Sequence, residues 1–333
     1  MNKTPSIFLL RLTCACVVAW GLVALTANAA DTVDTSRAKL RIQPAERLPG
    51  ANTSMILAAT LAGERIVAVG AHGVVLLSDD AGKSFRQARS VPVSSTLTDL
   101  SFADQNIGWA VGQWGVIIKT TDGGETWRIQ RSDISVDQPL FSVYFRNSNN
   151  GWAVGLWSLM LRTTDGGAIW STVQLPPPPG EKRADRNLNK IFADTKGDLF
   201  VACEQGWVLR SIDGGNTWAY LKTGYSGSFW TGVALQDGTL LVGGLRGTIY
   251  RSTNGGANWL AAQSAFKSSV TDIVQLDDRS VVAVALDGVS LISHDDGATF
   301  SGNQRPDRTP LTAVVDERGG ASVVFSTDGP ISQ

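Results

Sequence analysis

Histidine, methionine and cysteine are scarce in this sequence, and their scarcity limits the chemistry that the chain can carry. The 333 residues include two histidines, three methionines and three cysteines. His72 and His294 lie 222 positions apart, and no H-x-x-x-H or C-x-x-C spacing follows residue 29. This pattern argues against a structural or catalytic metal site, and the sequence predicts no cofactor.

An excess of charge of either sign is also missing. The chain has 29 lysines and arginines against 30 aspartates and glutamates, which gives a formal net charge of −1. Proteins that bind nucleic acid usually carry a basic face that neutralises phosphates. The composition therefore predicts no nucleic-acid partner.

The longest apolar run lies near the N-terminus and has the pattern of a secretory signal. Lys3 and Arg11 precede an apolar run over residues 12–25, and a small-residue site follows at 27–29. We expect cleavage after Ala29, which gives a periplasmic or secreted mature chain that does not span a membrane. The run is short for a bilayer span of about 20 residues, so an uncleaved anchor is the less favoured alternative.

Glycine and tryptophan, in contrast, are abundant. The 35 glycines lie between short apolar runs, and there are 11 tryptophans. Many tight turns between short apolar segments are typical of an all-β protein. Cys203 is the one cysteine beyond residue 29, so we expect no internal disulfide, and its position in the apolar run 199–203 predicts a small core residue.

An eight-residue pattern recurs six times: Ser or Thr, any residue, Asp, any residue, Gly, any residue, Thr, then Trp or Phe. Individual copies depart from it at single positions, and successive copies are separated by 41 to 48 residues. Near-constant recurrence at this distance is the sequence signature of a repeat architecture. The copies are SDDAGKSF (78–85), TTDGGETW (120–127), TTDGGAIW (163–170), SIDGGNTW (211–218), STNGGANW (252–259) and SHDDGATF (293–300).

The third position of the octet has a local structural explanation. A carboxylate there can accept hydrogen bonds from nearby backbone N–H groups and hold a tight turn. The following Gly permits positive φ, and the final aromatic residue fills space between neighbouring sheets. We therefore interpret these residues as structural rather than catalytic or metal-binding: Asp80, Asp122, Asp165, Asp213, Asn254 and Asp295.

Three apolar runs precede each octet and one follows it, which predicts four short strands in each repeat of about 42 residues. That is the pattern of a propeller blade. A glycine between the second and third strands recurs to Gly329, so the chain begins a seventh blade without an outer strand. We expect residues 38–44 to supply it, because Leu40-Arg41-Ile42-Gln43 matches Trp127-Arg128-Ile129-Gln130. Six blades plus an unpaired hairpin is the alternative.

The predicted fold is thus an all-β, seven-bladed β-propeller with four-stranded antiparallel blades. The ring is expected to close through the N-terminal strand, which removes an exposed sheet edge. Residues 1–29 form the signal peptide, and residues 30–333 form a single domain.

The sequence resembles the Asp-box, or BNR-like, propellers, and more closely the photosystem II stability/assembly factor family. The resemblance rests on GWAVG at 108–112 and 151–155, on the repeated TTDGG-x-x-W, and on seven blades behind an export signal. It implies a non-enzymatic, chaperone-like assembly factor that binds a subunit of a membrane complex on the non-cytoplasmic side. In photosynthetic cells that complex is a photosystem, whereas relatives in other bacteria are thought to accompany RND-type exporters.

The turns between second and third strands, together with the loops between blades, are expected to share one face. Two tryptophans on adjacent blades lie beside a proline-rich, basic insertion at 174–187. Because Trp and Arg dominate protein interfaces, we predict a protein-docking surface there. The alternative is that both tryptophans pack onto neighbouring loops. The predicted partner-binding residues are His72, Trp114, Trp157, Lys182, Arg183, Arg186, Lys190, Gln205, Lys222 and Arg246.

One basic residue immediately precedes the octet in each of blades two to five, and we call these four residues the basic row. It could bind an acidic partner, or it could offset the acidic residues of the face that carries the octets. The latter interpretation is favoured, and the row consists of Lys119, Arg162, Arg210 and Arg251.

A carbohydrate-binding or sialidase-like glycosidase propeller is the alternative function. A sialidase needs an arginine cluster, a Tyr nucleophile with an acid partner and a separate carboxylic acid. The Phe/Tyr-Arg-Ile-Pro motif of sialidases is missing, because Tyr250-Arg251 continues directly into an octet. No G-x-S-x-G elbow or phosphate-binding loop is present. We therefore expect no enzymatic activity.

Overall fold

The computed structural model describes residues 42–317 and 321–331, where short strands alternate with tight turns. No helix of these residues has the length and hydropathy needed to cross a bilayer. The helical segments of this part are 3₁₀ turns: Ala51–Thr53, Ala71–Gly73, Gln113–Gly115, Leu156–Ser158, Glu204–Gly206 and Leu245–Gly247.

The strands form seven sheets, each an antiparallel meander that begins at its innermost strand. Blades one and two contain β1 (Ile56–Ala62), β2 (Arg65–Gly70), β3 (Val75–Ser78) and β4 (Arg86–Gln87), then β5 (Leu97–Phe102), β6 (Gly108–Gly112), β7 (Ile117–Thr120) and β8 (Trp127–Arg131). Blades three and four contain β9 (Leu140–Phe145), β10 (Gly151–Gly155), β11 (Met160–Thr163) and β12 (Ser171–Thr172), then β13 (Leu188–Ala193), β14 (Leu199–Cys203), β15 (Trp207–Ser211) and β16 (Ala219–Lys222).

The remaining three blades follow the same order with two variations. Blade five contains β17 (Phe229–Ala234), β18 (Leu240–Gly244), β19 (Ile249–Ser252) and β20 (Leu260–Ala261). Blade six contains β22 (Val270–Gln275), β23 (Val281–Ala285), β24 (Val289–Ser293) and β25 (Thr299–Gln304), with β21 (Gln263–Ser264) added parallel to β25. Blade seven contains β26 (Leu311–Asp316), β27 (Ser322–Ser326) and β28 (Gly329–Pro330). The predicted seven-bladed, all-β architecture is confirmed.

The second strand of a blade is apolar because both of its faces are covered. In blades two to six every residue of this strand is buried, including both copies of GWAVG. A sheet with one face in water would instead alternate apolar and polar residues. Burial on both faces therefore explains why these runs are continuous in the sequence.

The hydrophobic core is divided into clusters, one between each pair of neighbouring blades. The cluster that closes the ring joins Ile66 and Leu76 of blade one to Ala313 and Phe325 of blade seven. Phe85, the last residue of the first octet, meets Phe325 edge-on with ring centroids 5.6 Å apart. Side-chain packing thus joins the first and last blades of the described chain.

The predicted N-terminal closing strand, residues 38–44, falls only in part within the described residues. Residues 38–41 lie outside the described residues, and residues 42–44 form no strand. Ala45 instead donates its backbone N–H to the carbonyl of Val91 (3.0 Å), and the side chain of Gln87 in β4 binds the backbone that follows. The prediction is therefore wrong for residues 42–44, because the chain next to them bonds to blade one and to the loop after it.

The segment before β1 runs from blade one to blade seven. At its end Asn52 approaches Gly329 so closely that a Cβ on this glycine would lie 1.9 Å from the Asn52 carbonyl oxygen. Gly329 also has φ of +99°, which a side chain would make unfavourable. This contact adds backbone packing to the junction between the two blades.

Each innermost strand carries a bulge at its second position, and the bulged residues line a channel on the ring axis. Several of these side chains also bond to the next blade. Thr98 donates to the Leu140 carbonyl (2.8 Å), and Thr271 donates to that of Leu311 (2.9 Å). The seven residues are Leu57, Thr98, Phe141, Asn189, Trp230, Thr271 and Thr312.

Candidate functional site

The turns between second and third strands share one unusual backbone conformation. Their central residue lies in the left-handed region in six blades, with φ between 53° and 61°. Glycine and asparagine tolerate this region, whereas a bulky side chain there is strained. The six residues are His72, Trp114, Trp157, Gln205, Arg246 and Asp287. We call the side of the ring that carries these turns the turn face.

The two tryptophans differ in environment. Trp157 is 60% exposed, although its backbone is fixed by a hydrogen bond from its N–H to the side-chain oxygen of Asn187 (3.1 Å). Trp114 is half-buried and lines a cavity of about 250 Å³ together with Ile42 and Ile134. Trp114 thus packs onto neighbouring loops, as the alternative interpretation expects, whereas Trp157 remains accessible.

A loop between blades two and three connects the two tryptophan turns. The N–H of Asp133 donates to the carbonyl of Trp114 (2.9 Å), and the side chain of Gln138 donates to the carbonyl of Leu156 (3.0 Å), the residue before Trp157. The same loop exposes the side chains of Ile134 and Val136, which are 40% and 46% accessible. We call this group the aromatic patch; it consists of Trp114, Ile134, Val136 and Trp157.

The proline-rich insertion lies against the turn that carries Trp157. The N–H of Ser158 donates to the carbonyl of Arg186 (2.7 Å), which fixes the end of the insertion beside the aromatic patch. The Arg186 side chain is largely buried and forms ion pairs with Glu181 and Asp185. Lys182 and Arg183 are exposed. The insertion therefore offers two accessible cations, whereas Arg186 holds the loop together.

The other predicted partner-binding residues lie in two different places. His72, Gln205 and Arg246 are exposed on the turn face. Lys222 is the last residue of β16 in blade four, and its ammonium lies 5.8 Å from the ring centre of Trp207. Lys190 does not lie on this surface. It belongs to β13, where its ammonium meets Asp99 at 3.0 Å inside the axial channel.

Two charged residues of the axial channel, Asp99 and Asp272, were not among the predicted site residues. Asp99 and Asp272 follow the bulges of β5 and β22, and Lys190 follows that of β13. Burial is the largest single influence on the pKa of Lys190 and lowers it, but the negative charges of Asp99 and Asp272 and the hydrogen bond to Asp99 together raise the pKa. Desolvation raises the pKa of Asp272. The Thr-Asp dipeptide that occurs in two inner strands, at 98–99 and 271–272, would have indicated the two aspartates in the sequence.

The octets lie on the opposite side of the ring, which we call the Asp-box face. Asp122 shows the shared hydrogen-bond pattern. It accepts from the Thr126 N–H (2.9 Å), the Thr126 hydroxyl (2.6 Å) and the Thr120 hydroxyl (2.9 Å). The Thr120 oxygen in turn accepts from the Gly124 N–H (3.0 Å). Equivalent oxygens in the other octets accept from the backbone N–H four residues later.

These hydrogen bonds favour the ionised carboxylates. The side-chain hydroxyl and backbone N–H at the seventh octet position are the main cause, and they lower the pKa of three aspartates to about 2. The three residues are Asp80, Asp213 and Asp295. No group of three or more His, Cys, Asp or Glu side chains in the described ranges is arranged to hold a metal ion.

Three members of the basic row before the octets connect neighbouring blades, whereas Arg210 forms an ion pair with Asp198 of its own blade (2.6 Å). Lys119 donates to the carbonyl of Gly166 (3.0 Å), and Arg251 donates to that of Asp296 (2.7 Å), each in the octet of the next blade. Arg162 reaches Asn216 in the same way (2.6 Å). Arg65 of blade one, outside the predicted row, donates to the Gly123 carbonyl (3.1 Å). These side chains therefore stabilise contacts between blades.

The fold, the octets and their hydrogen bonds define the class of protein: a seven-bladed β-propeller of the Asp-box type with an exposed aromatic patch on its turn face. The chain belongs to the family described as "Photosynthesis system II assembly factor YCF48", whose model matches residues 87–219 and 129–309.

Curated relatives share short segments with this chain. A photosystem II assembly protein Ycf48 from Thermosynechococcus vestitus is 42% identical over 41 residues, which is 12% of either chain. A photosystem II assembly lipoprotein Ycf48 from Synechocystis sp. is 39% identical over 57 residues, or 17% of either chain. The matched segments thus span less than a fifth of each relative.

Solved structures share the whole fold. A structure titled "YCF48 bound to D1 peptide" superposes with a TM-score of 0.68 over 86% of this chain and 94% of that one, at 18% identity. YCF48 from Cyanidioschyzon merolae gives 0.67 over 87% and 98%, at 17% identity. At this identity the likeness extends to the fold alone.

Proposed function

We propose that this protein is an exported, non-enzymatic docking factor that binds a segment of a membrane-complex subunit at the aromatic patch of its turn face. The observation that carries the proposal is the combination of the exposed ring and the left-handed backbone of Trp157. Its ring is 60% exposed although its backbone occupies the left-handed region at φ 53°. Such a turn is formed more easily by Gly or Asn, so folding does not account for a tryptophan there.

The surroundings of Trp157 support a protein partner. Ile134 and Val136 are exposed on the loop whose Gln138 bonds to the Trp157 turn. Lys182 and Arg183 are exposed on the insertion whose end bonds to the same turn. Clustered aromatic and aliphatic side chains with cations at the rim are the usual composition of a protein-docking site. The acidic residues of the same loops make the patch mixed in charge rather than uniformly basic.

The finer proposal concerns the partner and the location. One structural relative is titled as bound to a D1 peptide, and the curated relatives are named as photosystem II assembly proteins, one of them a lipoprotein. We propose by analogy that the partner is a photosystem-type subunit on the non-cytoplasmic side of a membrane. None of the reported relatives supports the RND-type exporter alternative.

Site-specific photocrosslinking tests the docking face. A benzophenone amino acid at position 157 is expected to crosslink to a membrane-complex subunit in the native envelope. The same amino acid at Ile212, which is 70% exposed on the Asp-box face, is the matched control and is expected to give no such product. Equal products from both positions, or none from position 157, would contradict the proposed face.

Peptide binding tests the finer proposal separately. Trp157→Asn is expected to weaken binding of a fluorescent D1 peptide at least tenfold while the thermal midpoint is retained, because the ring is exposed and Asn tolerates the left-handed backbone. Asp287→Asn alters the same position in blade six, outside the predicted partner-binding residues, and is expected to leave binding unchanged. No binding of the D1 peptide by the unaltered protein would contradict the photosystem-type partner but not the crosslinking result. Turnover of fluorogenic sialosides or other glycosides would contradict the non-enzymatic role.

A further inference from the structure

The axial channel opens on the turn face as a cavity of about 440 Å³. Three of the bulged side chains that line this cavity are apolar, namely Leu57, Phe141 and Trp230, and Leu286 also lines it. Ligand sites in proteins are typically concave, largely apolar and equipped with a few placed polar groups. The cavity is concave and largely apolar, and the charged side chains behind its mouth are the placed polar groups.

The charges in the channel do not balance. Lys190 forms an ion pair with Asp99 at 3.0 Å, and Asp99 also accepts from the Ser142 hydroxyl (2.5 Å) and the Val143 N–H (3.1 Å). Asp272 accepts from the N–H groups of Ile273 and Val314 and, at 3.4 Å, from the Thr231 hydroxyl. None of the salt bridges in the described residues includes Asp272, although the positive charge of Lys190 acts to lower its pKa against the larger effect of desolvation. Two carboxylates thus face one ammonium group.

The propeller does not require a charge at this place. The residue after the bulge is alanine in blades one and seven, and serine or threonine in blades three and five. Those blades pair and twist in the same way, so the scaffold accepts a small residue. Burying a carboxylate is unfavourable when it must share a single cation with a second carboxylate, and the uncharged residues of the other blades indicate that folding does not require Asp272. The uncharged equivalents are Ala58, Ser142, Thr231 and Ala313.

Two further features lie around the same cavity. The hydroxyl oxygen of Thr312 is buried and has no hydrogen-bond partner, although the equivalent Thr98 and Thr271 bond to the next blade. Asp287 and Asp328 follow the rim residues Leu286 and Thr327, so blades six and seven add negative charge beside the mouth. An unpaired hydroxyl and an acidic rim are complementary to a donor with positive charge.

We propose that the channel mouth is a binding site for an organic cation, a primary ammonium or guanidinium group carried on an apolar stem. The cationic group binds the Asp272 carboxylate and the Thr312 hydroxyl, and the stem lies against Trp230, Phe141 and Leu57. The cation comes either from a small amine or from a basic side chain of a peptide. This site is separate from the aromatic patch, and neither proposal depends on the other.

A charge series on the unaltered protein provides the first test. Benzylamine, benzyl alcohol and benzoate share one ring and differ in charge. We expect benzylamine to shift the indole N–H resonance of Trp230 saturably, with the resonance assigned by Trp230→Phe. Benzyl alcohol and benzoate are expected to give at least tenfold weaker effects. Equal effects from the three compounds, or no shift with benzylamine, would overturn the proposal.

Matched variants locate the charge that binds. Asp272→Asn is expected to weaken benzylamine binding at least tenfold, whereas Glu64→Gln, which removes an exposed carboxylate on the Asp-box face, is expected to leave it unchanged. Unchanged binding by Asp272→Asn would overturn the assignment. Circular dichroism of both variants checks the fold, and the charge series remains decisive if Asp272→Asn does not fold.

The source of the cation is distinguished with acetyl-Phe-Lys-amide. Tighter binding of this peptide than of benzylamine assigns the site to a basic side chain of a peptide. Weaker binding assigns it to a free amine. Both results require a cationic group at the channel mouth and therefore support the site itself.

Discussion

At the scale of single residues, each octet uses one acceptor side chain to fix a turn. Asp122 receives two hydrogen bonds from Thr126 and one from Thr120, so one carboxylate replaces several bonds to water. Blade five has Asn254 at the same place, with one oxygen bound to Ser252 and Asn258. The comparison of Asn254 with Asp122 shows that the turn requires a hydrogen-bond acceptor at this position but does not require a negative charge.

We expect Asp122→Ala to lower the free energy of unfolding by about 1–2 kcal/mol, because hydrogen bonds to a charged but partly exposed group are lost. Asp122→Asn should cost less, since it keeps one acceptor oxygen. Urea denaturation measures both, and Asn254→Asp is the reciprocal control, expected to stabilise. Equal midpoints for Asp122→Ala and the unaltered protein would contradict the structural role of the octet.

At the scale of elements, a blade is a four-stranded meander whose innermost and third strands both reach the next blade. Bulged residues of the innermost strand bond to the next blade near the turn face, and basic residues of the third strand reach the next octet on the Asp-box face. Between these contacts lies the apolar second strand. Neighbouring blades are therefore held by polar contacts at two ends and by hydrophobic burial between them.

Three threonines at the bulge position allow this arrangement to be tested within one protein. Thr98→Val and Thr271→Val each remove a donor to the next blade, and we expect each to cost about 1 kcal/mol. Thr312→Val removes an unpaired hydroxyl and is the matched control, expected to be neutral or stabilising. Thermal unfolding ranks the three variants. A cost for Thr312→Val as large as that for Thr98→Val would contradict the account.

At the scale of the whole molecule, the ring joins its first and last blades through side-chain packing between Phe85, Phe325 and their neighbours. Many of the ionised aspartates lie in the octets around one face. Their hydrogen bonds lower the pKa of Asp80, Asp213 and Asp295 to about 2, compared with about 4 in an unfolded chain. Lowering the pH therefore protonates carboxylates in several turns of the ring over the same pH range.

We expect the protein to lose stability as the pH falls from about 4 to about 2. A group whose pKa is lowered by folding stabilises the native state above its unfolded pKa, and this contribution is lost as pH falls through the folded pKa. Asp272, whose pKa is raised, has the opposite sign but is a single residue. Urea midpoints between pH 7 and pH 2 measure the effect. A midpoint that stays constant or rises below pH 4 would contradict it.

The sequence by itself determined the number of blades and the position of every octet. Both depend on interactions between residues close in the chain: the hydrogen bonds of the octet span a few positions, and the apolar runs recur with them. The exposed turn positions, including Trp157, follow from the same register. Local chemistry repeated at a constant distance is readable without a structure.

Tertiary structure alone decided which side chains meet across blades. Lys190 and Asp99 are 91 residues apart in the chain but 3.0 Å apart in the channel, and no local pattern encodes that distance. The same reason applies to the N-terminal segment. Leu40-Arg41-Ile42-Gln43 matches an outer strand in sequence, but where the chain pairs depends on which distant backbone groups are free to bond. Ala45 bonds to Val91 in the loop after blade one, and no local pattern encodes that partner.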